Sequence, residues 1–120
     1  MPVKSDYHWF TVEQKGEVTV VRFKIARLLK EGTVEVIGDE ILDLVKDPAH
    51  RKLVLDLSTV ERVYSVVVGK IAALHKKLQA EGGRLALCQL QPEVYEVFEV
   101  LQLHQHLNIY NTLEEALQSF

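Results

Sequence analysis

Few residues in this 120-residue sequence have the types and spacing that metal binding or catalysis requires. His104 and His106 form a His-x-His pair, and on a strand both side chains would point the same way, as two metal ligands must. No Asp, Glu or Cys lies nearby to complete a metal site. We therefore interpret both as solvated or partly packed histidines near a helix end, and we expect neither a metal ion nor a cofactor.

Cys88 is a weak candidate for nucleophilic catalysis. It ends the short apolar run Leu85–Cys88, and the sequence places no partner base for its thiol. We interpret it as a small buried hydrophobe. Gly82-Gly83 follows a predicted helix instead of opening one, so it does not form a phosphate-binding loop. The sequence predicts no catalytic residue, and we expect a protein that is not an enzyme.

Ser65 stands at the predicted start of a long helix. Its hydroxyl could accept a hydrogen bond from a free amide of the first turn, which predicts an N-cap. The same amides and the helix dipole favour negative charge at this point. A phosphate here would add about −1.5 to −2 charges and leave the fold in place. Phosphorylation is thus a second role, compatible with capping.

Strand and helix patterns alternate along the chain. The predicted strands are Trp9–Gln14, Glu17–Phe23, Leu53–Leu57, Leu85–Cys88 and Leu107–Tyr110. The predicted helices begin near Thr33, Ser65, Pro92 and Thr112, with Thr33 as an N-cap, Gly82-Gly83 as a C-cap and Thr112 and Glu115 as a capping box. This alternation predicts an α/β fold, a mixed and mostly parallel sheet of about five strands with an N-terminal hairpin, packed against about four helices. One domain should span residues 1–120, with a frayed terminus over residues 1–8.

The predicted core follows from the apolar faces of these elements. The residues expected to be buried are Val54, Leu55, Leu57, Ile71, Leu74, Leu85, Leu87 and Phe98. Val94, Phe98 and Leu101 should form the apolar face of the third helix. At least one valine of residues 66–68 should face outward, because a helix cannot bury three consecutive positions equally.

Composition limits the classes of function. Hydrophobic residues make up 48% and charged residues 26%, as in an ordinary soluble globular protein. The net charge of −3 argues against a nucleic-acid or anionic-membrane surface. One cysteine and no visible secretory signal or membrane-spanning segment predict a cytoplasmic protein.

The segment from Leu53 to Gly69 resembles the STAS domain of anti-sigma factor antagonists. In that family a strand of the form "vvLDLs" leads through a short loop to an Asp-Ser-Ser-Gly-Leu-Gly-like motif that opens a helix. The matching residues are Leu55, Asp56, Leu57 and Ser58 in the strand, Val60 and Glu61 in the loop, and Ser65 and Gly69 in the motif. Tyr64, Val66 and Val67 replace the motif's Asp, second Ser and first Gly. Gly82-Gly83 and Pro92-Glu93-Val94 also stand where the family has such residues.

This resemblance implies a STAS-type fold and a bacterial regulator of transcription. Its partner would be an anti-sigma factor that is also a serine kinase, and Ser65 would be the phosphorylated residue. The partner-binding residues would be Tyr64, Ser65, Val66, Val67 and Gly69. Tyr64 would either fill a groove beside the sheet or anchor the partner from an exposed position. Asp56 would be structural, accepting backbone hydrogen bonds at the end of its strand.

Two other functions remain open at the level of sequence. The same fold could serve as a scaffold or oligomer subunit without phosphorylation, which the altered motif favours. It could also bind a small ligand or nucleotide, although the sequence lacks a convergent set of polar residues. A homodimer is compatible with each of these functions.

Overall fold

A five-stranded mixed sheet lies at the centre of the computed structural model, which describes residues 7–24, 26–28 and 31–120. The strands in chain order are β1 (Phe10–Lys15), β2 (Val18–Phe23), β3 (Arg27–Leu28), β4 (Lys52–Asp56), β5 (Arg62–Val63), β6 (Arg84–Cys88) and β7 (Ile109–Tyr110). The helices are α1 (Glu31–Leu44), α2 (Ser65–Ala80), α3 (Pro92–Val100) and α4 (Leu113–Gln118), and a 3-10 helix covers Pro48–His50. The sequence prediction of frayed residues 1–8 falls mostly outside the described residues.

The strand order of the main sheet is β1-β2-β4-β6-β7. β1 pairs antiparallel with β2, and every other neighbouring pair is parallel. Gly16 has a φ of 63° in the two-residue turn of the hairpin, a conformation that glycine adopts without a steric penalty. The predicted mixed sheet, N-terminal hairpin and set of four helices are confirmed.

A second, two-stranded sheet joins β3 to β5 in parallel. The sequence did not indicate this sheet, since a two-residue strand carries no periodicity of its own. It connects the segment after β2 to the segment before α2. The pairing of β3 with β5 therefore helps to hold the segment that leads into α2.

The core occupies both faces of the main sheet. One face packs against α1, α2 and α3. All eight residues predicted for the core are buried, seven of them in this cluster and Val54 on the other face. The other face packs against α4 through Val20, Val54, Ala86 and Cys88. β4 and β6 are therefore covered on both sides, which explains why their sequences are apolar runs without alternation.

Outside α2, three local predictions were wrong. Thr33 is not an N-cap, because α1 already begins at Glu31, and tertiary contacts can override the weak propensities of Gly32 and Thr33. Leu101 is the C-cap of α3 and is 39% exposed, so it does not belong to that helix's apolar face. The last strand contains only Ile109–Tyr110, which leaves Leu107 outside it.

The predicted helix ends after α2 and before α4 are confirmed. Gly82 has a φ of 80° after α2, and the amide of Gly83 donates to the carbonyl of Leu78 at 2.7 Å, as in a Schellman motif. Thr112 and Glu115 form the reciprocal hydrogen bonds of a capping box. Within the described part of the chain, no helix has the length and apolar character needed to cross a bilayer.

Candidate functional site

The buried carboxylate of Asp56 organises the loop between β4 and α2. Its Oδ1 accepts the amide of Ser58 at 2.9 Å, and its Oδ2 accepts the Nε of Arg22 at 2.9 Å and the Nε2 of Gln89 at 3.2 Å. Gln89 has a φ of 58°, which is uncommon for a residue with a side chain. Asp56 is fully buried, so these three donors replace the water it loses on folding. The predicted structural role of Asp56 is confirmed. It accepts one backbone amide, as expected, and two side-chain donors in addition.

Hydrogen bonds from three other segments hold the same loop. The hydroxyl of Thr59 donates to the carbonyl of Phe23 at 2.7 Å, and Gln91 donates to the carbonyl of Ser58 at 3.1 Å. The carbonyl of Ala26 accepts the amides of Glu61 and Arg62. The start of α2 is thereby fixed relative to the sheet.

α2 begins at Ser65, as predicted, but Ser65 is not its N-cap. Tyr64 occupies the cap position and makes no side-chain cap hydrogen bond. Ser65 is the first helical residue, and its hydroxyl makes no hydrogen bond within the described chain. The predicted capping role of Ser65 is therefore wrong, and its exposed hydroxyl is available for another role.

The exposed side chains at the start of α2 form a small surface, which we call the helix tip and define as Tyr64, Ser65 and Val66. Tyr64 is 49% exposed and Val66 43% exposed, while Ser65 between them is exposed as well. The prediction that one of the three valines faces outward is confirmed by Val66. Tyr64 does not fill a groove beside the sheet.

Val67 does not share this surface. Its side chain is buried in the core, as is that of Val68. Helical geometry explains the division, because consecutive residues lie about 100° apart around the axis. The prediction that Val67 contacts a partner therefore needs a correction. Its side chain is buried in the core beneath the helix tip and is not exposed to a partner. Gly69 is exposed one turn after Ser65, on the same side of α2.

The backbone makes the helix tip favourable for negative charge. The carbonyl of Tyr64 accepts the amides of Val67 and Val68 at 3.0 and 3.4 Å. The amides of Ser65 and Val66 point out of the helix start without a backbone acceptor among the described residues, as the geometry of helix ends requires. No acidic residue lies in the first turn. An anion at this position would meet free donors and the positive end of the helix dipole.

The other candidates from the sequence lie apart from the helix tip. His104 and His106 lie in the turns between α3 and β7, not on a strand, and the ring of His104 packs edge-on against Tyr95 at 6.0 Å. Over residues 7–24, 26–28 and 31–120, no three His, Cys, Asp or Glu side chains are grouped so that they could hold a metal ion. Cys88 is fully buried, and burial, aided by the nearby Asp56, raises the pKa of its thiol to about 12. It remains a neutral thiol at physiological pH and is no nucleophile.

Sequence reasoning missed Arg22, Gln89 and Gln91 as supports of the loop. Arg22 lies on β2, and the two glutamines lie between β6 and α3, more than 30 residues from Asp56 and Ser58. The contacts depend on the register of the sheet, which puts Arg22 opposite Asp56. No local pattern in the sequence indicates that pairing.

A substitution of Gly69 tests whether its position in α2 requires a glycine. A Cβ built on Gly69 has nothing within 4 Å, and the residue lies inside α2. Gly69→Ala should therefore raise the free energy of unfolding by about 0.5–1 kcal/mol, because glycine loses more backbone entropy in a helix. Chemical denaturation would measure this change. Gly83→Ala is the control and should destabilise the protein, since its Cβ would overlap the carbonyl of Arg51. A loss of stability in Gly69→Ala would contradict the prediction.

The fold and the helix tip define a class of protein, namely an α/β domain that holds an exposed helix start beside the carboxyl edge of a mostly parallel sheet. The family model described as "STAS domain" matches residues 10–116. The chain belongs to the STAS domain family.

Individual relatives agree with this family. The chain is 32% identical over 74 residues to BtrV of Bordetella bronchiseptica, whose own assignment as an anti-sigma factor antagonist is inferred. That match covers 62% of this chain and 64% of BtrV, less than two thirds of the relative. An anti-sigma-factor antagonist (STAS) domain protein from Planctomyces limnophilus has a TM-score of 0.80 at 29% identity, over 92% of this chain and 95% of that one. The anti-sigma factor antagonist SpoIIAA in its unphosphorylated form has a TM-score of 0.74 at 25% identity, over 92% and 94%.

Proposed function

We propose that this protein is an anti-sigma factor antagonist that binds an anti-sigma factor through its helix tip and thereby frees a sigma factor. The observation that carries the proposal is the exposure of Tyr64 and Val66 on either side of Ser65. A half-exposed tyrosine beside an apolar side chain is typical of the residues that dominate protein interfaces. Family membership supports the proposal, because the relatives described above are named for this activity.

Binding should depend on burial of the apolar part of the helix tip. Tyr64 and Val66 replace the Asp and second Ser of the motif that the sequence resembles, so the tip is more apolar than that motif. Burying a tyrosine or valine side chain against a partner contributes favourably by removing apolar area from water. Gly69 would allow the partner to approach the helix one turn further along, since it presents no side chain.

Ser65 supplies a means of switching this contact. Its hydroxyl is exposed at the first position of α2, where unpaired amides and the helix dipole favour added negative charge. A phosphate at Ser65 would leave the fold intact and place about −1.5 to −2 charges in the middle of an apolar contact. We propose that a serine-kinase activity in the anti-sigma factor phosphorylates Ser65 and so ends the interaction. The protein itself acts by binding and not by catalysis.

Substitutions in the helix tip should weaken binding to the anti-sigma factor. Tyr64→Ala should weaken it by more than about 1 kcal/mol, and Val66→Ala by a smaller amount, because both remove buried apolar contact. Ser65→Asp should weaken it as well and leave the melting temperature nearly unchanged, since an acidic residue is tolerated in a first helical turn. Titration calorimetry against an anti-sigma factor encoded in the same genome would measure all three.

Val36→Ala is the matched control for Val66→Ala. Val36 is a helical valine of similar exposure, 49% against 43%, and it lies on α1. It should bind like the wild type. If Tyr64→Ala and Val66→Ala also bind like the wild type, the interaction surface lies elsewhere. If Ser65→Asp binds like the wild type while Tyr64→Ala and Val66→Ala bind more weakly, the protein is a partner-binding scaffold that is not switched at Ser65.

A further inference from the structure

An apolar cleft of about 340 Å³ lies between α1 and α2, on the side of the sheet away from α4. Its walls and floor include Ile37 and Ile41 from α1, Ile71 and Leu74 from α2, and Phe23 and Leu55 from the sheet. Small-molecule sites in proteins have volumes of about 300–1,000 Å³ and are mostly apolar. The cleft is therefore large enough to hold a small ligand.

Part of the apolar lining is in contact with solvent. Leu42 on α1 is 38% exposed, and Ala73 on α2 is exposed as well. Water in contact with a concave apolar wall is unfavourable, and such surfaces usually mark binding sites. An apolar occupant would remove this area from water without any change in the fold.

The charges of the lining indicate what kind of molecule fits. Among the described residues that line the cleft, the ionisable ones are Lys70, Lys77 and Asp39, two cations against one anion. Lys77 faces Glu81 at 3.8 Å, whereas Lys70 makes no ion pair within the described chain. The stem of Lys70 runs past Gly38, whose built Cβ would lie 4.0 Å from the Lys70 Cδ. The ammonium group of Lys70 is thus a positive charge at the edge of an apolar cleft, without an ion-pair partner among the described residues.

We propose that this cleft binds an anionic amphiphile of the fatty-acid class, with its hydrocarbon chain between α1 and α2 and its carboxylate at Lys70. A nucleotide fits the lining less well, because the lining contains no hydroxyl or amide side chain to recognise a base or a sugar. The proposal does not depend on the function of the helix tip, since the cleft involves different exposed side chains.

Dodecanoate, kept below its micelle concentration, is the probe that tests the proposal. Titration calorimetry with the full chain should give saturable one-to-one binding, and dodecanoate should raise the melting temperature, because it binds only the native state. Dodecyltrimethylammonium has a tail of nearly the same length and the opposite charge, and it should bind at least about tenfold more weakly, because its cationic head group is repelled by Lys70. Equal binding of the two probes, or uptake that does not saturate, would overturn the proposal.

Variants locate the site. Ala73→Phe should fill the cleft and abolish dodecanoate binding, with Ala73→Leu as a smaller replacement if the first does not fold. Lys70→Glu should weaken dodecanoate binding about tenfold. Lys76→Glu, an exposed lysine of α2 outside the lining, should bind like the wild type. The proposal fails if Lys76→Glu is as weak as Lys70→Glu. It also fails if Ala73→Phe converts a dimer into a monomer without ligand, which would assign the cleft to a second copy.

Discussion

Phe98→Ala should lower the free energy of unfolding by about 3–5 kcal/mol, the range found when a buried aromatic residue is truncated. The ring of Phe98 is fully buried on α3 and belongs to the larger core cluster. α3 contacts both α2 and β5, so the cavity would open beside the chain that supports the helix tip. The packed surroundings of the ring can close such a cavity only in part. Urea denaturation at fixed protein concentration would measure the loss.

Val100→Ala on the same helix is the control for Phe98→Ala. Val100 is 74% exposed, and its truncation should change the free energy of unfolding by no more than about 0.5 kcal/mol. Phe98→Leu provides a milder truncation if Phe98→Ala does not fold, and it should fall between the wild type and the alanine variant. Similar losses for Phe98→Ala and Val100→Ala would mean that α3 does not contact the core through Phe98.

Asp56→Ala should lower the free energy of unfolding by about 2–4 kcal/mol. Hydrogen bonds to charged groups contribute about 1.5–3 kcal/mol each, and Asp56 accepts three of them. The total is smaller than the sum, because the side chain of Arg22 is 42% exposed and can turn to water. The amide of Ser58 has less freedom to do so. Hydrogen exchange should also become faster at Ser58, since its acceptor is lost.

Two further variants separate the parts of this network. Arg22→Ala should cost less than Asp56→Ala, because it leaves Ser58 and Gln89 as donors to the carboxylate. Asp56→Asn should be intermediate, since its side-chain oxygen can still accept the Ser58 amide. If Asp56→Ala were as stable as the wild type, burial of the carboxylate would cost as much as its hydrogen bonds return, as happens for some buried ion pairs.

Much of the fold could be predicted because its signals are local. The apolar runs of β4 and β6, the glycine pair after α2, Pro92 at the start of α3 and the capping box at Thr112 each act within a few residues. The predicted start of α2 at Ser65 is correct for the same reason. Thr33 shows the limit of local signals, because a favourable cap residue does not fix where a helix begins when its neighbours pack against the core.

The candidate site was predictable only in part. The resemblance to the STAS domain indicated the segment around Ser65, and the periodicity of helices required one valine of residues 66–68 to face outward. The spacing also placed Val67 and Val68 on one face with the apolar positions 71, 74 and 78, which favoured Val66 as the outward valine. The position of α2 on the sheet confirms this, because Val67 and Val68 meet the core and Val66 points to solvent.

The sequence by itself determined the alternation of strands and helices, the buried faces and the start of α2. Each of these depends on residue type and on spacing along the chain, where the backbone geometry is repetitive. Only the tertiary structure decided which donors reach Asp56, how β3 and β5 pair beside the helix tip, and that α1 and α2 leave an apolar cleft between them. These features join residues that are far apart in the sequence, and the register and packing of the elements set their positions.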